Sequence, residues 1–139
     1  MDSVIRLLIL EDDSLDVMDL KRTLDKMGIL NIMHVARNGE EAVAYLEARS
    51  GHDFPDIILL DLNMPKMNGL EFLSVLRARD GWKHLKVFVL TTSAEREDMQ
   101  EAKKLGISGY IVKPLKLNNP ASLDAFNLMI DLMNIKNRI

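Results

Sequence analysis

The chain has 139 residues, a formal net charge of −3, 47% apolar and 28% charged residues, and no cysteine. That is about one domain's worth of soluble, core-forming sequence, with no disulfide framework, no thiolate metal site and too little clustered basic charge for a nucleic-acid surface. No apolar run is long enough to cross a membrane and the N-terminus, MDSVIRLLILEDD, has no signal-peptide pattern, so no membrane association and a cytoplasmic location are expected.

Short apolar runs and helical patterns alternate along the chain. The first run, Leu7–Leu10, is followed by a helical pattern in which Val17, Leu20, Leu24 and Met27 recur at helical spacing, with Ser14 as N-cap and Gly28 as stop. A less regular strand at Ile32–Ala36 leads through Asn38-Gly39 to a second helix marked by Ala42, Tyr45 and Leu46. The third strand, Ile57–Leu60, precedes a helix carrying Leu70, Leu73 and Leu76. The fourth, Val87–Leu90, precedes a helix carrying Met99, Ala102 and Leu105, capped by Ser93 and ended by Gly106. The fifth strand, Tyr110–Val112, precedes a last helix from about Ala121. The four apolar runs do not alternate with polar residues, so each reads as a strand covered on both faces. Five strands alternating with five helices predict an α/β fold, a doubly wound parallel sheet of flavodoxin type in the order 2-1-3-4-5.

In such sheets ligands sit beyond the carboxyl ends of the strands, where the strand order reverses. The first strand is followed by Glu11, Asp12 and Asp13, the third by Asp61, the fourth by Thr91, Thr92 and Ser93, and the fifth by Lys113 and Pro114. Asp13 reads as a helix cap or a solvated turn residue. The gathered carboxylates are ionised near neutral pH and repel one another, by roughly 4 kcal/mol for a pair 4 Å apart near a surface. A hard divalent cation relieves that repulsion, and Mg²⁺ suits an all-oxygen site that retains water. Asp61 is then placed to attack phosphorus, with Lys113 and Thr91 as partners for phosphoryl oxygens.

LLILEDD, DIILLDLNMPKMNGLEFL, VFVLTTS and GYIVKP, in this order and spacing, resemble a response-regulator receiver domain of two-component signalling. The likeness covers essentially the whole chain and implies a single domain over residues 1–139 with no separate output domain. It implies that Asp61 accepts a phosphoryl group from a sensor histidine kinase or histidine phosphotransfer protein and relays the signal to a downstream protein, without enzymatic turnover of other substrates. It also implies that Asp12 binds Mg²⁺ directly, Glu11 acts in the acidic pair, and Asn63 offers its backbone carbonyl. Thr91 and Lys113 match the switch hydroxyl and the phosphate-binding lysine, and Tyr110 the aromatic switch, expected to move inward on phosphorylation. TTS and RNGEEAVAYL are most similar to single-domain, chemotaxis-regulator-like proteins associated with phytochrome-type and other sensor kinases. The chain departs from the family pattern in the long KPLKLNNPASLD loop and in SGHDF before the third strand.

Two other functions share parts of this pattern. An aspartate-nucleophile phosphatase needs a second Asp two residues after the nucleophile, where this chain has Asn63. A flavin carrier needs a Ser-, Thr- and Gly-rich phosphate loop after the first strand, where EDDSLD would repel phosphate. His34, His52 and His84 read as structural or surface groups, and Trp82 as a cover on the core edge. The last helix has two apolar stripes: Leu123, Phe126, Ile130 and Met133, and Ala125, Leu128, Leu132 and Ile135. One stripe suffices for the sheet, so the second, with Leu128 and Leu132, is expected to form a homodimer or to dock a partner. The alternative is that the long preceding loop covers it.

Overall fold

The computed structural model describes residues 3–138. Five strands, β1 (Ile5–Leu10), β2 (Asn31–Ala36), β3 (Ile57–Leu60), β4 (Val87–Thr91) and β5 (Gly109–Val112), form one parallel sheet in the order β2-β1-β3-β4-β5. Five helices connect or follow them: α1 (Ser14–Lys26), α2 (Gly39–Glu47), α3 (Gly69–Ala78), α4 (Arg96–Leu105) and α5 (Leu123–Lys136). The expected fold class and strand order are both present. The SGHDF insertion forms a short 3₁₀ turn over Gly51–Asp53.

Side chains alternate across the sheet, so β1 and β3 feed two cores at once. Ile5, Leu7, Ile9, Ile57 and Leu59, with Phe88 and Ile111, pack against Leu20 and Leu24 of α1 and Ala125, Leu128 and Leu132 of α5. Leu8, Leu10, Ile58 and Leu60, with Val87 and Val89, pack against α2, α3 and the single buried residue of α4, Ala102. The apolar four-residue runs are therefore apolar because both faces are covered.

Local chemistry sets most helix ends. Gly28 (φ +69°) and Gly106 (φ +99°) stop α1 and α4 in backbone conformations that favour glycine. Asn68 caps α3 in a reciprocal box with Glu71. Three expected helix starts need correction. The cap of α1 is Asp13, itself read as a helix cap or turn residue, and not Ser14: its carboxylate accepts from the Leu15 N–H at 2.9 Å and the Asp16 N–H at 3.4 Å. The cap position of α4 is Glu95, with no side-chain cap bond, because the Ser93 hydroxyl is turned toward Asp98. Ser122 caps α5, so that helix starts at Leu123, two residues later than expected.

The last helix carries the largest correction. Leu128 and Leu132, assigned to a partner surface by the sequence, are 0% and 1% exposed and face the sheet. Leu123, Phe126 and Ile130 of the other stripe are the residues left at 72%, 45% and 38% exposure. The reason is register. Asp124, in the first turn of α5, accepts the Tyr110 N–H at 2.8 Å, and this bond to β5 fixes which side of the helix meets the sheet. The long loop also contributes, since Leu117 is buried in the same core.

Candidate phosphorylation site

Register alone brings the site residues together. Leu10 pairs with Leu60, so Glu11 and Asp61 leave neighbouring strands side by side, and the Asp61 N–H donates to the Leu10 carbonyl at 3.1 Å. Thr91 pairs with Val112, which sets Lys113 just beyond it, and the Lys113 N–H donates to the Thr91 carbonyl at 2.8 Å. Gly69 allows α3 to start against this edge. A Cβ there would lie 2.4 Å from the Asp61 carbonyl oxygen.

Asp61 is buried, at 7% exposure, and both its oxygens have partners. Oδ1 accepts from the Asn63 N–H at 3.0 Å and from the Thr91 hydroxyl at 2.9 Å, while Oδ2 accepts from the Lys113 ammonium at 3.2 Å. One oxygen each of Glu11, Asp12 and Asp61 all lie within 4.8 Å of one another. Among the described residues this is the one group of acidic or imidazole side chains so arranged. The donor set is oxygen only, which fits a hard dication, and Asp12 is exposed where water can complete the shell. The Asn63 carbonyl accepts no hydrogen bond among the described residues, so it is free to serve as a further oxygen donor.

The charges are strongly interdependent. Burial pushes the Glu11 carboxyl up to about 7; the hydrogen bond and charge of Lys113 oppose this, and the Asp61 charge adds to it. Burial works against the Lys113 cation, but its bonds to Asp16 and Glu11 and the Asp61 charge outweigh that and hold its pKa above the usual lysine range. Lys113 is thus a fixed positive charge in a nest of carboxylates.

The structure joins Glu11, Asp12, Asp61, Thr91 and Lys113 in one site, with Asn63 at its edge. It also includes two residues given no such place by the sequence. Asp16 accepts from Lys113 at 2.8 Å. Ser93 donates its N–H to the Thr91 hydroxyl at 3.3 Å and its hydroxyl to Asp98 at 2.8 Å, and its carbonyl accepts from the Tyr110 hydroxyl at 2.9 Å. Helical spacing was the available signal for Asp16, which lies three residues after the Asp13 cap and one turn past Asp12. In the sequence Ser93 reads as a cap, because only the tertiary structure brings Tyr110 to it.

The resemblance implies that Tyr110 moves inward on phosphorylation. Here Thr91 already bonds Asp61, and the Tyr110 ring is already inside, at 5% exposure. A buried phenol needs a hydrogen-bond partner, and the Ser93 carbonyl supplies one. His34 is a structural group, as expected: it stacks on Tyr45, with ring centroids 4.0 Å apart. Trp82 is buried at the core edge beneath Arg79.

Residues 7–122 match the response regulator receiver domain, and the chain belongs to that family. It is 35% identical over 109 residues to the chemotaxis protein CheY-3 of Vibrio cholerae serotype O1, covering 78% of this chain and 80% of that one. Its fold is similar to that of the bacteriophytochrome response regulator AtBRR, with a TM-score of 0.76 and 31% identity over 99% of this chain and 97% of the other. The phosphorylated cyanobacterial phytochrome response regulator RcpA matches with a TM-score of 0.73 and 28% identity, covering 96% and 91%. The family is one of two-component signalling proteins that act through phosphorylation-dependent switching.

Proposed function

We propose that Asp61 accepts a phosphoryl group from a sensor histidine kinase or a histidine phosphotransfer protein and passes the signal to a downstream protein by a change in the α4–β5 region. The observation that carries this reading is the Asp61 carboxylate itself, held at a strand tip by Thr91, Asn63 and Lys113, beside two further acids. An Asp61 oxygen forms the new bond to phosphorus as the phosphorus–nitrogen bond of the donor imidazole breaks. The bonding pair stays on the imidazole nitrogen. Lys113, relieved of Asp61 Oδ2, and the Thr91 hydroxyl then donate to phosphoryl oxygens. Glu11, Asp12, Asp61 and the Asn63 carbonyl would hold Mg²⁺, which neutralises charge on the transferred group when bound. The protein catalyses its own phosphorylation and dephosphorylation only.

The exposed face of α5, with Leu123, Phe126 and Ile130, is the surface we propose for self-association or partner docking. This replaces the Leu128 and Leu132 face.

Intact-mass spectrometry after treatment with acetyl phosphate and Mg²⁺ tests the site. One added phosphoryl group is expected, absent in Asp61→Asn and absent with a chelator. Labelling that persists in Asp61→Asn would sink the assignment.

A further inference from the structure

The Lys113 ammonium donates to three carboxylates: Glu11, Asp16 at 2.8 Å and Asp61 at 3.2 Å. An ammonium has three N–H donors, so this set uses all of them. Two of the acceptors, Glu11 and Asp61, belong to the acidic group that fits a dication. The third does not. Asp16 sits in the first turn of α1, and its side chain is 42% exposed where that of Lys113 is 12%.

Lysine and metal therefore compete for the same two side chains. The Lys113 charge and its bonds to one oxygen each of Glu11 and Asp61 oppose the binding of a second cation to those carboxylates. Asp16 is the one acceptor that can take charge from the ammonium without withdrawing a ligand. If it is removed, the remaining acidic partners of Lys113 are Glu11 and Asp61 alone.

We infer that Asp16 is a positioning residue that draws the Lys113 ammonium toward α1 and so leaves Glu11 and Asp61 available to a divalent cation. This rests on the Mg²⁺ site proposed above. An acid in the first turn also favours a helix through its dipole. That effect needs only the charge near the helix end, whereas here Oδ2 is committed to Lys113. The two roles differ in what they predict for the metal.

The test is a calorimetric Mg²⁺ titration of the full chain as wild type, Asp16→Asn, Lys113→Met and the double variant. Asp16→Asn is expected to weaken Mg²⁺ binding on the order of three- to tenfold, from the lost charge and the lysine's closer hold on the ligands. Lys113→Met should tighten binding. In that background the Asp16→Asn effect should shrink, because the lysine it restrains is gone. Asp16→Glu, which keeps the charge, should recover most of the affinity and guards against a misfolded Asn variant. With acetyl phosphate, Asp16→Asn should label slowly at limiting Mg²⁺ and reach the wild-type rate at saturation. Equal Mg²⁺ affinity in wild type and Asp16→Asn overturns the inference, and so does an equal loss with and without Lys113. An Asp12→Asn control separates the two readings: if wild-type binding does not depend on Asp12, the proposed metal site fails and this inference with it.

Discussion

Ser93 is where the hydrogen bonds of Asp61 and Tyr110 meet. Its N–H donates to the Thr91 hydroxyl, which in turn donates to Asp61, and its carbonyl accepts from Tyr110. Thr91 is fully buried, so the position of its hydroxyl is transmitted through bonds rather than through solvent. Burial raises the Tyr110 pKa above its ordinary 10, with the nearby Asp98 and Glu95 charges adding to the effect. An acid whose pKa is raised by folding holds its proton in the native state after the unfolded chain has released it. Its contribution to stability is thus intact below pH 10 and is lost as the pH rises beyond that. Absorbance titration of tyrosinate should show a late component that disappears in Tyr110→Phe. A late component that survives in Tyr110→Phe would assign it to the other tyrosine, Tyr45.

At the scale of elements, α5 and α4 sit at opposite extremes. In α5, Ala125, Leu128 and Leu132 are buried in the sheet-facing core, and the exposed stripe has no partner among the described residues. Leu128→Ala should cost about 2–5 kcal/mol of unfolding free energy in a denaturant titration, as for other fully buried leucines. Phe126→Glu with Ile130→Glu should leave stability nearly unchanged and abolish any self-association seen by light scattering. A wild type that stays monomeric at high concentration, phosphorylated or not, removes the homodimer and leaves partner docking as the use of that face. In α4, only Ala102 is buried, with Met99 and Leu105 half-covered. Its C-terminal end is nevertheless tied down, because the Arg77 guanidinium donates to the Gly106 carbonyl at 2.7 Å and to the Leu85 carbonyl at 2.7 Å. Its N-terminal end is held through Ser93, which donates to Asp98 at 2.8 Å and accepts from the Glu95 N–H at 3.4 Å.

Over the whole molecule this makes a rigid sheet with one loosely packed corner. Thin burial gives a segment low local stability, and such segments supply the moving parts of switches. The Thr91–Asp61 and Tyr110–Ser93 bonds describe a closed arrangement that a phosphoryl group on Asp61 would reinforce, since Thr91 and Lys113 gain a more highly charged acceptor. Beryllofluoride with Mg²⁺, which mimics that group, is expected to slow amide hydrogen exchange over residues 91–99 more than over 103–106, where Arg77 already anchors the helix. Unchanged exchange throughout 91–110 rules out this route of signalling.

Much of this protein is legible in its sequence. The buried strands appear as unbroken apolar runs such as Ile57–Leu60, because a strand covered on both faces can carry no polar alternation. Asp61, Glu11, Asp12 and Lys113 are visible because each follows such a run, and a parallel sheet places all strand ends on one edge. The helix stops at Gly28 and Gly106 are equally local, since they depend on backbone conformation at one residue. What the sequence does not decide is rotation and partner choice. Both stripes of α5 are apolar, and the tertiary structure, with the Asp124 bond to β5 among its contacts, puts the one with Leu128 and Leu132 in the core. Asp16 and Ser93 look like ordinary first-turn and capping residues until Lys113 and Tyr110 arrive from the distant β5 strand. These are contacts between residues far apart in the chain, and their geometry exists only once the sheet has fixed the separation between strand ends.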